Sequence, residues 1–138
     1  AHFVESALGD PLLVQRGRTP ALGRWSLPGG LVDVGERLET AVRREVAEEC
    51  GLTVEVHGLV GAVDRIVRDD EGRVRYHYVL LDYLATPTAG RAEAGSDALA
   101  VQWCEPAALG GLDVTDGVES MVRRAFALEA ERRRKERE

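Results

Sequence analysis

The run from Gly35 to Leu52, GERLETAVRREVAEECGL, constrains the fold more than any other stretch of the chain. At about 100° per residue, four of its apolar side chains fall on one stripe: Leu38, Val42, Val46 and Cys50. A helix with such a stripe needs another element of structure to cover it. The run therefore predicts an amphipathic helix packed on the body of a domain.

Three glutamates stand in the second half of this helix. Measured from the centre of the apolar stripe, Glu49 lies roughly 40° away, Glu45 roughly 80° and Glu48 roughly 140°. The carboxylates of Glu45 and Glu49 therefore lean toward the protein. Glu48 is near enough to reach a shared site but can also face water.

Two explanations compete for these carboxylates. As surface side chains they would pair with the arginines of the same helix, which is the ordinary role of helix glutamates. Glu45 and Glu49, however, are like charges four residues apart, beside the core stripe and near the helix C-terminus, where the macrodipole disfavours anions. A divalent cation offsets all three costs, and oxygen donors without His or Cys suit Mg²⁺ or Mn²⁺. The helix therefore predicts a metal site.

The segment before the helix contains Pro28, Gly29 and Gly30. Adjacent glycines predict a tight turn in which the backbone approaches a ligand or an ion. Such a tripeptide alone indicates only a turn, and its spacing from the glutamates gives it weight.

Other stretches are typical of strands because they are rich in valine or aromatic residues. The predicted strands are 11–16, 53–67, 73–85 and 99–104. RDDEGR, around Gly72, predicts an antiparallel hairpin between the second and third of these. Residues 86–98 are expected to form a loop.

From Asp116 the pattern becomes helical, with Asp116 and Glu119 spaced as a capping box. Its apolar stripe is Val118, Met121, Val122, Ala125 and Phe126. No repeat or linker divides the 138 residues, so a single domain, 1–138, is expected. Its predicted architecture is α/β, with helices packed on a mixed β-sheet.

Composition limits the partners of the chain. Its formal net charge of −6 provides no electrostatic reason to bind nucleic acid. No apolar run approaches the length of a membrane span, and no signal peptide is expected. Cys50 and Cys104 lack the spacing of a zinc or redox motif, which favours buried free thiols and a reducing cytoplasm.

The order Gly30, five residues, Glu36, seven residues and then REVAEECGL at 44–52 resembles the signature of the Nudix hydrolases. Every fixed position of that signature is matched. The resemblance implies a Nudix α/β/α sandwich that cleaves a diphosphate linkage in a nucleoside diphosphate joined to another moiety.

The resemblance also implies a helix-borne magnesium site, with Mn²⁺ as a substitute. Glu45 and Glu49 are then its principal ligands, Glu48 is a further ligand or a base, and the Gly30 carbonyl is a contributor. Water must lose a proton as it attacks phosphorus, so a carboxylate is needed as general base.

The resemblance assigns Glu36 and Arg44 to a pair that holds the loop against the helix. Glu48 is one candidate base, and Glu93 and Asp97 in the later loop are others. Both loop carboxylates can equally be solvent-facing side chains.

HYVLLDYLA, SDA and VQWCEP resemble the small Nudix enzymes that include ADP-ribose pyrophosphatases, and this resemblance favours ADP-ribose-like substrates. Oxidised nucleoside triphosphates remain an alternative, as does a non-catalytic module that senses a nucleotide. The retention of all the charged signature positions favours the enzyme. The sequence leaves undecided whether the chain forms a homodimer.

Other candidates for substrate contact are weaker. Three arginines near the glycine segment can touch phosphate or simply solubilise that face: Arg16, Arg18 and Arg24. Four aromatic residues can stack on a base or belong to the core: Trp25, Tyr76, Tyr78 and Trp103. His77 is expected to have no catalytic role.

Overall fold

A computed structural model of the chain describes residues 2–8, 12–18 and 21–138, the first range by its backbone alone. The elements in chain order are β1 (His2–Leu8), β2 (Leu12–Arg16), β3 (Trp25–Ser26), β4 (Gly29–Leu31), α1 (Leu38–Cys50), β5 (Leu52–Arg68), β6 (Val74–Gly90), β7 (Ala98–Trp103), a 3₁₀ helix (Pro106–Gly111) and α2 (Val118–Glu136).

The strands form two sheets. The larger has the order β4-β1-β6-β5, in which β1 runs parallel to β6 and the other neighbours are antiparallel. The smaller is antiparallel, with the order β3-β2-β7. The predicted α/β class with a mixed sheet is therefore confirmed.

Helices α1 and α2 cover opposite faces of the larger sheet. Successive side chains of a strand point to opposite faces. On β6, Tyr83 packs with Ala41 and Val42 of α1, whereas its neighbour Leu84 packs with Ala125 of α2. The sheet lies between the two helices, so the expected α/β/α sandwich is confirmed.

The four predicted strands are present, although Pro11 lies outside the described residues. Their hairpin turns at Gly72, which has a φ of 81° and donates its N–H to the Asp69 carbonyl at 3.0 Å. Strand β6 runs on to Gly90, into the segment expected to be a loop. It does so because β5 begins at Leu52, whose register partner is Gly90.

The tight turn predicted at the adjacent glycines is wrong. Gly29 and Gly30 belong to β4 and pair with Glu5 and Val4 of β1. Neither β1 nor the short strands β3 and β4 was expected. Their pairing depends on partners distant in sequence, which local patterning does not show.

Helix α1 forms as predicted, and Val42, Val46 and Cys50 are fully buried. Leu38 is an exception because it begins the helix and remains 38% exposed. Cys50 and Cys104 are both buried free thiols, as expected. Burial raises the pKa of Cys50 to about 12, so this thiol stays protonated at neutral pH.

Helix α2 begins two residues later than expected. Its N-cap is Gly117 with a φ of 87°, and no side chain caps it, so the proposed capping box of Asp116 and Glu119 is wrong. Phe126 is also not a core residue, since it is 50% exposed. Among the described residues, no helix has both the length and the apolar character needed to cross a bilayer.

Candidate active site

Strand β4 and helix α1 approach each other most closely at Gly30. A Cβ built on Gly30 would overlap the carboxylate of Glu45. The φ of Gly30 is not in the positive range, so the residue is needed for space rather than for an unusual backbone conformation. The glycine thus brings the Glu45 carboxylate directly against the backbone of β4.

Glu49 points at the same strand. Its Oε2 accepts a hydrogen bond from the Gly29 N–H at 2.7 Å. Burial raises the pKa of Glu49 to about 7, and the negative charge of Glu45 adds to this effect. The helical wheel therefore placed this side chain correctly, toward the protein and beside Gly30.

Glu45 and Glu48 differ in their surroundings. Glu45 is mostly buried, and desolvation raises its pKa although its Oε1 accepts a hydrogen bond from Arg44 Nη1 at 2.7 Å. The side chain of Glu48 is 61% exposed and lies 3.3 Å from the same Arg44 nitrogen. The expected difference between the three glutamates is present.

Arg44 connects the helix to the preceding segment. Its Nε and Nη2 donate to the two carboxylate oxygens of Glu36 at 2.7 and 2.8 Å, and Nη2 also donates to the Leu31 carbonyl at 3.0 Å. These hydrogen bonds hold the pKa of Glu36 at about 2 and raise the pKa of Arg44. The expected pair of Glu36 and Arg44 is therefore present and ties α1 to β4.

The donor chemistry of α1 fits a hard divalent cation. Glu45 and Glu49 are two adjacent carboxylates that lose hydration without enough positive charge to compensate, and a cation bound there would remove that cost. Within residues 12–18 and 21–138, no three His, Cys, Asp or Glu side chains already converge into a ready cage. Glu45, Glu48 and Glu49 are candidate ligands by their donor chemistry.

The β6–β7 loop closes the C-terminal end of α1. The N–H groups of Glu93 and Gly95 donate to the carbonyls of Cys50 and Glu49 at 2.9 and 2.8 Å. Asp97 contributes to the raised pKa of Glu49 through its negative charge and pairs with Arg18 at 2.7 Å. Of the two candidate loop bases, the structure couples Asp97 electrostatically to Glu49.

A cavity of about 340 Å³ begins at Gly29 and Gly30, the two glycines of β4 that lie against the α1 carboxylates. Its lining residues are Arg16, Ala21, Arg24, Ser26, Leu27, Gly29, Gly30, Glu49, Arg65, Ile66, Val67, Tyr78, Leu80, Thr115 and Asp116. This size falls within the usual range for small-molecule sites. Glu49 is therefore at once a candidate ligand of the cation and part of the cavity wall.

The structure places the three candidate arginines in different surroundings. Arg16 and Arg24 line the cavity, while Arg18 pairs with Asp97 instead. Arg24 donates to Asp113 Oδ1 at 3.1 Å and to the Val114 carbonyl at 2.5 Å, so it supports the cavity wall.

Among the four aromatic candidates, only Tyr78 lines the cavity, and Tyr76 stacks on it with ring centroids 5.6 Å apart. Trp25 packs against the core, and Trp103 is largely exposed. His77 contacts Asp64 on the exposed hairpin, at 2.8 Å.

Sequence reasoning missed Arg65, Thr115 and Asp116 as parts of the cavity wall. Arg65 is near the end of the long strand β5, Asp116 was expected to begin the last helix, and Thr115 directly precedes it. No local pattern marks them, because β5 and the 113–116 segment meet only in the folded chain.

The carboxylates of α1, the glycines of β4 and the adjoining cavity together form a candidate active site. The sequence matches the NUDIX domain family over residues 2–125. The chain therefore belongs to the NUDIX family.

Two relatives indicate the range of the family around this chain. The ADP-ribose pyrophosphatase of Methanocaldococcus jannaschii is 40% identical over 87 residues, which are 63% of this chain and 49% of that protein. A putative 8-oxo-dGTP diphosphatase of Bacillus subtilis is 33% identical over 99 residues, 71% of this chain and 59% of that protein. The chain thus spans about half the length of each of these two relatives.

Solved structures agree with this assignment. The MutT NUDIX hydrolase of Burkholderia pseudomallei has a TM-score of 0.74 at 30% identity, with 89% of this chain and 95% of that chain covered. The NUDIX domain of Shewanella oneidensis NrtR, solved with ADP ribose, has a TM-score of 0.73 at 26% identity, with 92% and 86% covered.

Proposed function

We propose that this protein hydrolyses the diphosphate linkage of a nucleoside diphosphate joined to another moiety, with the help of a divalent cation. The observation that carries the proposal is the position of Glu49. It accepts a hydrogen bond from Gly29 and also lines the cavity, so a substrate in the cavity meets the Glu49 carboxylate of α1.

Glu45, Glu48 and Glu49 would hold the cation, with the Gly30 carbonyl as a further donor; the cation would be Mg²⁺, with Mn²⁺ as a substitute. When bound, it neutralises the charge of the diphosphate and makes an attacking water more acidic. Arg44 and Glu36 keep α1 in register with β4, which supports the position of Glu49 at the cavity wall. Arg16, on the cavity wall, supplies positive charge for phosphate oxygens.

A carboxylate of the chain takes the proton of the attacking water. Glu48 is exposed at the edge of the carboxylate cluster, where it is accessible to water. Asp97 is the second candidate because its charge acts on Glu49. Glu93 is the third, on the loop that closes the end of α1.

Among the candidate substrates we favour ADP-ribose-like molecules. Support comes from the M. jannaschii relative, named as an ADP-ribose pyrophosphatase, and from the NrtR domain solved with ADP ribose. The B. subtilis relative, named as a putative 8-oxo-dGTP diphosphatase, favours oxidised nucleoside triphosphates as the second candidate. A nucleotide sensor that does not cleave its ligand is the third.

A substrate panel tests the proposal. Purified protein with Mg²⁺ or Mn²⁺ is incubated with ADP-ribose, dinucleotides, sugar nucleotides, nucleoside triphosphates and 8-oxo-dGTP, and the products are separated by chromatography. We expect cleavage of ADP-ribose to AMP and ribose 5-phosphate. Preferential cleavage of 8-oxo-dGTP would support the second candidate, and binding without turnover of any member would support the sensor.

A further inference from the structure

Gly95, in the loop between β6 and β7, lies directly against the backbone of α1. A Cβ built on Gly95 would overlap the Glu48 carbonyl oxygen and would lie only 3.2 Å from the Glu49 Cα. The φ of Gly95 is not in the positive range, so glycine is needed here for space rather than for an unusual backbone conformation. The contact falls on two residues whose carboxylates are candidate metal ligands.

The same loop supplies hydrogen-bond partners to the end of α1. The last four carbonyls of a helix have no partner within the helix itself. Here the Gly95 N–H donates to the Glu49 carbonyl at 2.8 Å, and the Glu93 N–H donates to the Cys50 carbonyl at 2.9 Å. Gly95 thus both contacts and hydrogen-bonds the last turn of α1, and any side chain at this position would force the two backbones apart.

The loop is also fixed at its other end. The Gly17 N–H, directly after β2, donates to the Asp97 carbonyl, and the Ala98 N–H donates to the Gly95 carbonyl, both at 3.2 Å. A Cβ built on Gly17 would lie 2.7 Å from the Asp97 carbonyl oxygen, so this contact is also close. The loop cannot move away from α1 without breaking such hydrogen bonds. We therefore expect a side chain at position 95 to displace the last turn of the helix as well.

Glu49 is held between this loop and strand β4. Its Oε2 accepts a hydrogen bond from the Gly29 N–H at 2.7 Å, whereas its backbone carbonyl and Cα meet Gly95. A shift of the last turn of α1 would move the Glu49 carboxylate relative to β4. Binding groups work only when they are held within fractions of an ångström of the productive geometry, so such a shift would weaken a metal site.

We propose that Gly95 is a positioning residue, which fixes the backbone of Glu48 and Glu49 and so keeps their carboxylates where the cation binds. The inference rests on the proposed function, because it takes α1 as the metal-binding helix. Gly95 contributes no ligand of its own and acts only through the helix.

Gly95→Ala tests the proposal by adding one methyl group at this contact. The metal-free protein is titrated with Mn²⁺ in the absence of substrate, and free ion is measured by electron paramagnetic resonance. The variant should bind Mn²⁺ at least roughly tenfold more weakly than the wild type, the loss seen when a group that orients a metal ligand is removed. Its turnover should recover in part at high Mg²⁺, because the defect lies in metal affinity.

Gly72→Ala is the matched control. Gly72 turns the β5–β6 hairpin with a φ of 81°, and a Cβ built there would meet no atom within 4 Å. Alanine at such a φ lowers stability through backbone strain, here far from α1. This variant should unfold at a lower temperature than the wild type and bind Mn²⁺ with unchanged affinity. If Gly95→Ala shows this same pattern, Gly95 has a purely structural role and the proposal is wrong.

An amide-to-ester replacement at Gly95 serves if Gly95→Ala does not fold. It exchanges the N–H that bonds the Glu49 carbonyl for an oxygen and adds no side chain, so the loop still fits against α1. Because only one backbone hydrogen bond is lost, we expect a folded protein whose Mn²⁺ affinity is roughly 3–10-fold lower. Unchanged affinity of this protein would overturn the proposal.

The Mn²⁺ titration also separates this proposal from the proposed function. It needs no turnover, so it applies even if the protein proves to be a sensor. Equal Mn²⁺ affinity of the wild type and Gly95→Ala would contradict only the role of Gly95. Failure of the wild type to bind Mn²⁺ would contradict both the metal site and the role of Gly95 in it.

Discussion

Glu49 on α1 and Glu129 on α2 both lie on the protein side of a helix, yet their environments shift the carboxyl pKa in opposite directions. Glu129 is 3% exposed and accepts hydrogen bonds from Arg132 at 2.8 and 2.9 Å and from Arg133 at 3.0 Å. These arginines lower its pKa. Glu49 has the Gly29 N–H and the negative neighbour Glu45, and its pKa rises to about 7.

The difference shows that burial alone does not decide the ionisation of a carboxylate. A guanidinium within hydrogen-bond distance outweighs the desolvation of Glu129, whereas one backbone N–H does not outweigh that of Glu49. Glu129 therefore stabilises the fold by itself. The folded state disfavours the charged form of Glu49, as expected for a carboxylate that the proposed cation would bind.

The largest expected loss of activity follows from removing the general base, and it distinguishes that residue from the other candidate carboxylates. Glu48→Gln, Asp97→Asn and Glu93→Gln each remove one candidate base. The variant that removes the true base should lower kcat by roughly 10²–10⁴-fold, with little recovery by added metal, and should flatten the acidic limb of the pH profile. If kcat falls by no more than about tenfold in all three variants, the general base is a different residue.

Glu45→Gln sharpens the contrast between the two helices. It keeps the shape but removes a charge that the cation requires, so activity should fall by roughly 10²-fold or more, with partial recovery at high Mg²⁺. Glu129→Gln, the matched change on α2, should leave kcat and KM unchanged. Near-complete activity of Glu45→Gln at ordinary Mg²⁺ would return Glu45 to the role of a surface residue.

Glu36→Gln and Arg44→Ala should have intermediate effects. Each breaks the pair between the loop and α1, so activity should fall roughly tenfold while circular dichroism shows a folded protein, because the pair orients the helix rather than forming the core. Unchanged turnover in both variants would remove that role from the pair.

The smallest effect concerns stability and its pH dependence. Glu129→Gln should cost roughly 1–3 kcal/mol near neutral pH, because it removes hydrogen bonds between charged groups. The folded-state pKa of Glu129 is below its ordinary value of 4.5, so this contribution is present above pH 4.5 and is lost as pH falls below it. Denaturant unfolding should therefore show the two proteins converging in acid, whereas a constant gap between them would contradict the assignment.

The sequence was most informative where local spacing decides the structure. The wheel positions of Val46 and Glu49 follow from helix geometry alone, so the buried face of α1 and the direction of its carboxylates were predictable. The sequence indicated that Gly30 matters, but the predicted reason, a tight turn, was wrong. It is needed because β4 packs against Glu45, a contact that appears only when strand and helix are placed together.

Other features escaped prediction because they depend on tertiary pairing. The start of α2 is set by Gly117 in a left-handed conformation after Thr115 pairs with Trp25, and this arrangement overrides the spacing of Asp116 and Glu119. No local pattern in the sequence marks Glu129 as a buried carboxylate. Its burial follows from how α2 lies on the sheet.

Mn²⁺ binding to the protein without substrate tests the central claim most directly. Wild type, Glu49→Gln and Glu129→Gln are freed of metal with a chelator and titrated with Mn²⁺, with free ion measured by electron paramagnetic resonance. We expect the wild type and Glu129→Gln to bind alike and Glu49→Gln to bind at least roughly tenfold more weakly, a loss seen even for groups that only support a metal ligand. Equal Mn²⁺ affinity of all three proteins would contradict the assignment of the α1 carboxylates to a metal site.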